Sequence, residues 1–146
     1  MKRDIHYEIM KHTQMHFIYA AFFEVDDDIY IKVGRSTRPY QRVAALTQGV
    51  PFVLSRAVFA QAGSIENASS IERSLFKLLE GFRMRGEWYR FKHADAATFR
   101  TTIAASFTKF TGRKLVWSTM DADKLKAEIA DQGAKFTHRK RPDDAT

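Results

Sequence analysis

Residues 16–42 constrain the fold most, because they hold two apolar runs joined by three consecutive aspartates. Residues 16–24 are apolar at almost every position, a pattern that predicts a central strand covered on both faces. Residues 29–34 alternate bulky side chains and predict a second strand, and the short acidic connection at 26–28 favours an antiparallel hairpin. Gly34 ends the second strand, at a place where the backbone must bend or let a ligand come close.

Helical and extended patterns alternate after the hairpin. Pro39 suits the first turn of a helix that carries Arg42. Residues 52–60 predict a third strand, and apolar residues at helical spacing predict a second helix over about 65–80. A chain of 146 residues can bury roughly 68–70% of its unfolded surface, so it can form one domain with its own core.

Two further helices are predicted in a C-terminal extension, residues 93–134. Phenylalanines at helical spacing predict the first over 95–111, and the second starts at Asp121 and is closed by Gly133. Residues 135–146 are polar and basic, and we expect a flexible tail there.

The composition indicates a polyanionic partner. The formal net charge is +7 and the pI is about 9.8, which is typical of nucleic-acid-binding proteins; a solvated basic surface without a partner is the alternative. The absence of cysteine excludes disulfides, thiolate metal sites and cysteine nucleophiles. No apolar run reaches the length of about 18 residues that a membrane helix needs. The N-terminal extension, residues 1–15, lacks the apolar core of a secretory signal.

Glu72 is the most informative single residue, because it lies at the edge of the apolar stripe of the second predicted helix. A carboxylate there loses hydration unless it gains a partner. It can bind a hard divalent cation, which takes oxygen ligands and keeps several waters. It can equally pair with Arg42, Arg73 or a backbone group, and the pattern leaves both interpretations open.

Four more side chains are candidates for phosphate chemistry near the hairpin. Tyr19 and Tyr30 are strand phenols, which are usually core or interface residues, and catalysis by one of them needs a cation that favours the phenolate. Lys32 and Arg42 can supply that charge, and an arginine can also fork onto phosphate oxygens. An ordinary surface arginine is the alternative interpretation of Arg42.

Basic residues outside this group are candidate phosphate contacts. The candidate nucleic-acid-binding residues are Arg35, Arg38, Arg83, Arg85, Arg139, Lys140 and Arg141. For the last three, a soluble basic chain end is the alternative.

Five motifs follow one another in a recognisable order. Residues 17–19 read FIY, residues 32–34 read KVG, and Arg42 follows that glycine by eight positions. Glu72 lies on a predicted helix, and residues 86–89 read GEWY. The order resembles the GIY-YIG endonuclease superfamily, and most closely its branch of the phage T-five Orf-type DNA-binding domain and the meiotically-up-regulated-gene type.

The resemblance implies a nuclease domain over residues 16–92. The implied fold is α/β (α+β), with a small central mixed, mainly antiparallel sheet of about three strands flanked by helices. It also implies one Mg²⁺ or Mn²⁺ ion on Glu72 that stabilises the leaving oxygen. Arg42 would hold the scissile phosphate, and Tyr19 would activate or orient the attacking water. The implied setting is the cytoplasm of a bacterial cell or a phage-infected host.

Two departures from the family pattern bear on activity. Lys32 replaces the tyrosine of the second motif and, as a cation, serves better as electrostatic support for Tyr19 than as the base. Phe17 replaces the first glycine. Tyr30, two residues before Lys32 on the same strand face, can replace the missing phenol. Glu87 occupies the neighbourhood of the family's late asparagine.

Three functional hypotheses follow. The first is a metal-dependent DNA endonuclease that uses Tyr19, Lys32, Arg42 and Glu72, with Tyr30 as an auxiliary. The second is a DNA-binding module of the same family with impaired catalysis, motivated by the two departures and the basic charge. The third is a protein-interaction subunit of a phage or defence system, with the C-terminal helices docking a partner.

Overall fold

The computed structural model describes part of the chain: the backbone of residues 14–26, 28–92 and 116–144, and the side chains of these residues except Leu78 and residues 136–144. The helix predicted over 95–111 and nearly all of the N-terminal extension lie outside the described residues. Those two expectations therefore stay predictions.

The described elements comprise both strands and helices, as the sequence pattern indicates. In chain order they are β1 (His16–Val25), β2 (Asp28–Ser36), α1 (Pro39–Thr47), β3 (Leu54–Gly63), α2 (Ile65–Leu78), a 3₁₀ turn (Glu80–Phe82), β4 (Arg83–Arg85), β5 (Trp88–Lys92), β6 (Ser118–Thr119) and α3 (Ala122–Asp144).

The strands form one six-stranded sheet in the order β4-β5-β2-β1-β3-β6, and every described pairing is antiparallel. The combination of helices and sheet is confirmed, but the prediction of about three strands was wrong. The three additional strands, β4, β5 and β6, have only three, five and two residues. Segments this short do not show the alternation of apolar and polar residues that identifies a strand. They form because neighbours offer hydrogen-bonding edges: β2 to β5, β3 to β6, and β5 in turn to β4.

The first strand is buried on both faces, as its apolar run predicted. It pairs with β2 on one side and with β3 on the other. Its alternate residues contribute to two cores: Ile18, Ala20 and Phe22 pack with α2, and Tyr19, Ala21 and Phe23 pack with α1 and α3. We refer to these two sides of the sheet as the α2 face and the α1 face.

Helix α2 has a defined start and one buried stripe. The Ser64 hydroxyl accepts a hydrogen bond from the Asn67 N–H at 3.2 Å, which satisfies one of the free donors at the helix start. The buried stripe is Ala68, Ile71 and Leu75. Because Glu72 follows the middle residue of this stripe, it emerges at the border of the core.

Helix α3 lies against α1 and starts where the sequence predicted. The Asp121 carboxylate accepts a hydrogen bond from the Lys124 N–H at 2.8 Å, and the Asp121 N–H donates to the Tyr40 hydroxyl at 2.8 Å. The predicted end at Gly133 was wrong, because the helix continues to Asp144. Gly133 lies beside α1, where a Cβ atom would be 3.9 Å from the Gln48 Oε1 atom. None of the described helices is both long and apolar enough to cross a membrane.

Candidate active site at one end of the sheet

Tyr19 and Gly34 are direct neighbours on β1 and β2, and their contact begins the site. Tyr19 is buried, and its ring lies across the glycine. A Cβ atom added at Gly34 would come within 2.6 Å of the Tyr19 Cζ atom, a separation that requires something to move. Gly34 is therefore needed because the phenol occupies the space of its missing side chain, rather than to bend the chain.

The Arg42 guanidinium donates a hydrogen bond to the Tyr19 phenol oxygen. Helix α1, which carries Arg42, follows directly after β2, so the short connection returns the arginine to the end of the sheet. Burial raises the pKa of Tyr19 above its usual value of 10.0, and Arg42 offsets only part of that rise. The phenol is therefore neutral throughout the physiological pH range.

Glu72 forms an ion pair with Arg35, with 3.5 Å between its Oε1 atom and the arginine Nε atom. The Glu72 side chain is 18% exposed, and burial is the main cause of its raised pKa, followed by the Glu87 carboxylate. Arg35 and Lys32 counteract this rise. The partner is thus Arg35, and neither Arg42 nor Arg73 of the alternatives weighed from sequence.

Lys32 forms the shortest ion pair of the site, with its Nζ atom 2.9 Å from the Glu87 Oε2 atom. It lies opposite Ala21 on β1 and opposite Trp88 on β5, and its side chain is only 13% exposed. The positive charge predicted to support Tyr19 is therefore neutralised first by Glu87.

These contacts converge at the end of the sheet where β1 begins and β2 finishes. We call the group the sheet-end cluster: Tyr19, Lys32, Arg35, Arg42, Glu72 and Glu87. Its members also act on one another through space, since the charges of Glu72 and Glu87 both raise the pKa of Tyr19. The same two carboxylates act on the buried Tyr89 phenol, whose pKa is raised, mainly by burial, to about 12. The cluster thus extends around the sheet end from the α1 face to the α2 face.

Tyr30 lies two residues before Lys32 on the same face of β2, as the sequence indicated, but its described contacts are with core residues and with no member of the sheet-end cluster. It is four positions before Gly34 on β2, and its ring stacks on Phe52 with 5.2 Å between centroids and 14° between planes. It packs on the α1 face against the core that contains Phe23. The structure therefore brings four of the five predicted catalytic residues together and leaves Tyr30 out.

The predicted nucleic-acid contacts lie in several places. Arg35 belongs to the cluster, and Arg38 is exposed at the start of α1. Arg83 and Arg85 are exposed on the outermost strand, β4, which leads into Glu87. For Arg139, Lys140 and Arg141, the backbone lies in α3 but the side chains are outside the described residues.

Sequence reasoning missed the two partners that complete the charge pairs. Arg35 was interpreted only as a phosphate contact, although it follows Gly34 directly and strand alternation places it opposite Ile18, on the α2 face with Glu72. Glu87 was noted only as a neighbour of a missing asparagine. Its signal was the GEWY turn, which brings the carboxylate back beside β2.

A metal ion at this site would have few protein ligands. Among the residues described, no three histidine, aspartate or glutamate side chains lie close enough to share one ion. Glu72 offers a partly buried carboxylate whose own charge is poorly compensated, as its raised pKa indicates. A hard cation that takes one carboxylate and keeps several waters fits this donor set.

Comparison with known proteins gives one match. The model of the T5orf172 domain family covers residues 16–104, more than half of the chain. It spans β1 to β5 and thus every member of the sheet-end cluster. No curated protein and no solved structure matches the chain. Because the match covers more than half of the chain and includes the candidate site, the chain belongs to the T5orf172 domain family.

Proposed function

We propose that this protein is a metal-dependent DNA endonuclease of the GIY-YIG type. The observation that carries the proposal is the bond from Arg42 to the Tyr19 phenol across Gly34, beside the carboxylate of Glu72. Residues from two strands and two helices meet there, each of a type that phosphodiester hydrolysis uses. The T5orf172 family is associated with GIY-YIG and phage Orf-type nucleases, which supports the same class.

Arg42 is the proposed phosphate ligand. It is exposed, and its guanidinium has more N–H donors than the one that the phenol uses. It can therefore hold a phosphate oxygen while it keeps the Tyr19 ring in place, and it can stabilise the charge that develops on that phosphate.

Tyr19 is proposed to orient the attacking water. Its raised pKa favours the neutral phenol, which can accept a hydrogen bond from Arg42 and donate one to water. A phenolate base is disfavoured, because burial and the charges of Glu72 and Glu87 all oppose ionisation. Orientation of a reactant alone can contribute several orders of magnitude to a rate.

Glu72 is the proposed ligand for Mg²⁺ or Mn²⁺. Its 3.5 Å contact with Arg35 involves the Oε1 atom, and a carboxylate has two acceptor oxygens, so a cation can bind while Arg35 stays close. A cation bound there would stabilise negative charge on the leaving oxygen.

The test is a cleavage assay with plasmid and with short single- and double-stranded DNA, in Mg²⁺, Mn²⁺ or EDTA. Wild type is compared with Glu72→Ala and with Glu80→Ala, a matched control on the exposed 3₁₀ turn. We expect metal-dependent cutting that falls at least about a hundredfold in Glu72→Ala, because a catalytic metal supplies several kcal/mol, while DNA binding and the control remain intact. Undiminished cutting by Glu72→Ala would rule out this mechanism.

A second candidate function is DNA binding without cleavage. The observation that favours it is that Glu72 and Lys32 are already paired, with Arg35 and Glu87. DNA would then bind through basic residues such as those of β4, and affinity would fall steeply with salt. Absence of cutting in every metal, together with salt-sensitive binding, would select this function. A protein partner docked by the C-terminal helices and a cytoplasmic location stay predictions.

A further inference from the structure

Glu87 is fixed beside the site by its backbone. It follows Gly86, which has a φ of +59° and turns the chain from β4 into β5, a conformation that favours glycine. Its carbonyl oxygen accepts a hydrogen bond from the Val33 N–H at 3.3 Å. The Glu87 main chain is thus tied to β2 at the residue before Gly34.

Lys32 needs such a partner to stay where it is. Its side chain is 13% exposed, and its Nζ atom lies 6.0 Å from the centre of the Trp88 ring. A lysine has a flexible stem of four carbons and tends to carry its charge out to water. The Glu87 carboxylate, 2.9 Å away, supplies the attraction that keeps this ammonium at the sheet end.

The position of the ammonium matters to the rest of the cluster. Lys32 lies on the α1 face opposite Ala21, which is two residues from Tyr19 on the same face of β1. Its charge also acts on Glu72 across the sheet end. A displaced Lys32 would therefore leave two carboxylates close together with one cation fewer, beside the phenol proposed to orient water.

From this geometry we propose that Glu87 is a positioning residue, which acts on the reaction by holding the Lys32 ammonium at the sheet end. The inference rests on the proposed function for its kinetic readout. It differs from a purely structural role, in which the pair would only fasten the β4–β5 turn to β2 and contribute to stability.

The experiment is a double-mutant cycle of Lys32→Met, Glu87→Gln and the combined variant, with Glu87→Asp as a charge-retaining variant and Glu80→Gln as the control. Steady-state and single-turnover cleavage rates are measured, together with DNA affinity in EDTA and thermal unfolding. We expect Glu87→Gln to lower kcat about tenfold to a hundredfold with little change in KM, since a misplacement of about 1 Å can cost about 10²-fold. The combined variant should be no worse than Lys32→Met alone, because residues that act through one another are not additive.

The comparison of Glu87→Asp with Glu87→Gln separates charge from size. Glutamine matches the size of glutamate, so a packing role favours Gln; the positioning role favours Asp, which keeps the charge. Higher kcat in Asp than in Gln supports the inference. Additive kinetic effects, or a kcat in Glu87→Gln equal to wild type, would overturn it while leaving the nuclease proposal intact.

A wild-type protein that does not cut DNA would refute the proposed nuclease and the effect of Glu87 on cleavage, but the positioning of Lys32 by Glu87 could still be tested. In that case, the DNA affinity of the same four proteins, wild type, the two single variants and the combined variant, is measured instead of the cleavage rate. A loss of affinity in Glu87→Gln alone that matches the loss in Lys32→Met, and that does not increase in the combined variant, supports positioning. Tighter binding of equal size on removing Glu87 in both backgrounds shows a simple repulsive charge and overturns the inference.

Discussion

The two ends of the β1–β2 hairpin carry similar residue types in very different surroundings. At the open end, Tyr19 is held by Arg42 across Gly34, and partly buried charges surround it. At the turn end, Tyr30 stacks on Phe52, and the charge pair there joins a half-buried Asp28 to an Arg90 side chain that is 54% exposed. The presence of a phenol or an ion pair therefore does not by itself identify a site. What marks it is whether burial forces each charge to depend on a neighbour.

The sharpest test of this comparison replaces one tyrosine by phenylalanine at each end of the hairpin, which removes only the phenol oxygen. Tyr19→Phe keeps the ring but loses the hydrogen bond from Arg42, and we expect cleavage to fall about 10²–10⁴-fold, the range for positioned catalytic groups. Tyr30→Phe keeps the stack on Phe52, and we expect a change of about twofold or less. Single-turnover rates at saturating DNA measure both. Equal losses would place Tyr30 in the site after all.

A second test adds one carbon under the Tyr19 ring. Gly34→Ala puts a Cβ atom 2.6 Å from the ring's Cζ atom, and overpacking of this kind costs about 1–3 kcal/mol. We expect lower stability together with loss of cleavage, since the phenol must leave its place. Gly81→Ala is the control, because its Cβ would meet nothing within 4 Å. Wild-type stability and activity in Gly34→Ala would show that the ring is free to move.

A third test uses alkaline pH. Tyr89, which is 1% exposed, has a pKa raised from 10.0 to about 12, so the unfolded chain loses this proton first. Its contribution to stability is present below pH 10 and is lost as the pH rises towards 12, by about 1.4 kcal/mol for each pH unit between the two pKa values. Urea unfolding at pH 9 and pH 11 should show a steeper loss for wild type than for Tyr89→Phe. Parallel losses would contradict burial as the cause.

The smallest effect is expected at the turn end. The Arg90 Nε and Asp28 Oδ2 atoms are 3.0 Å apart, with the side chains 54% and 21% exposed. An ion pair with one largely solvated member contributes about 0–1 kcal/mol and weakens with salt. A double-mutant cycle of Asp28→Asn and Arg90→Gln, followed by urea unfolding, should give a coupling within that range. A larger coupling free energy that does not change with salt would contradict the comparison, because the charge pair at the turn end would then behave like the pairs of the sheet-end cluster.

The hairpin, its neighbouring helices and the central strand could be predicted because their signals are local. A continuous apolar run predicted β1, and Pro39 and Asp121 marked the starts of two helices. The additional strands could not be predicted, since segments of two to five residues become strands only through a neighbour's free edge. The end of α3 was predicted wrongly because glycine often ends a helix but does not have to, and this helix continues through Gly133 to Asp144.

The hairpin, the excess of positive charge and the order of the motifs with Tyr19, Arg42 and Glu72 could all be read from the sequence. Composition, periodicity and spacing are properties of the chain and do not depend on its fold. The tertiary structure alone decided which charges pair. Strand register placed Arg35 on the side of Glu72, and the turn before β5 brought Glu87 to Lys32. Partners of a buried charge come from segments distant along the chain, so their choice follows from packing and from the cost of leaving a charge without a partner.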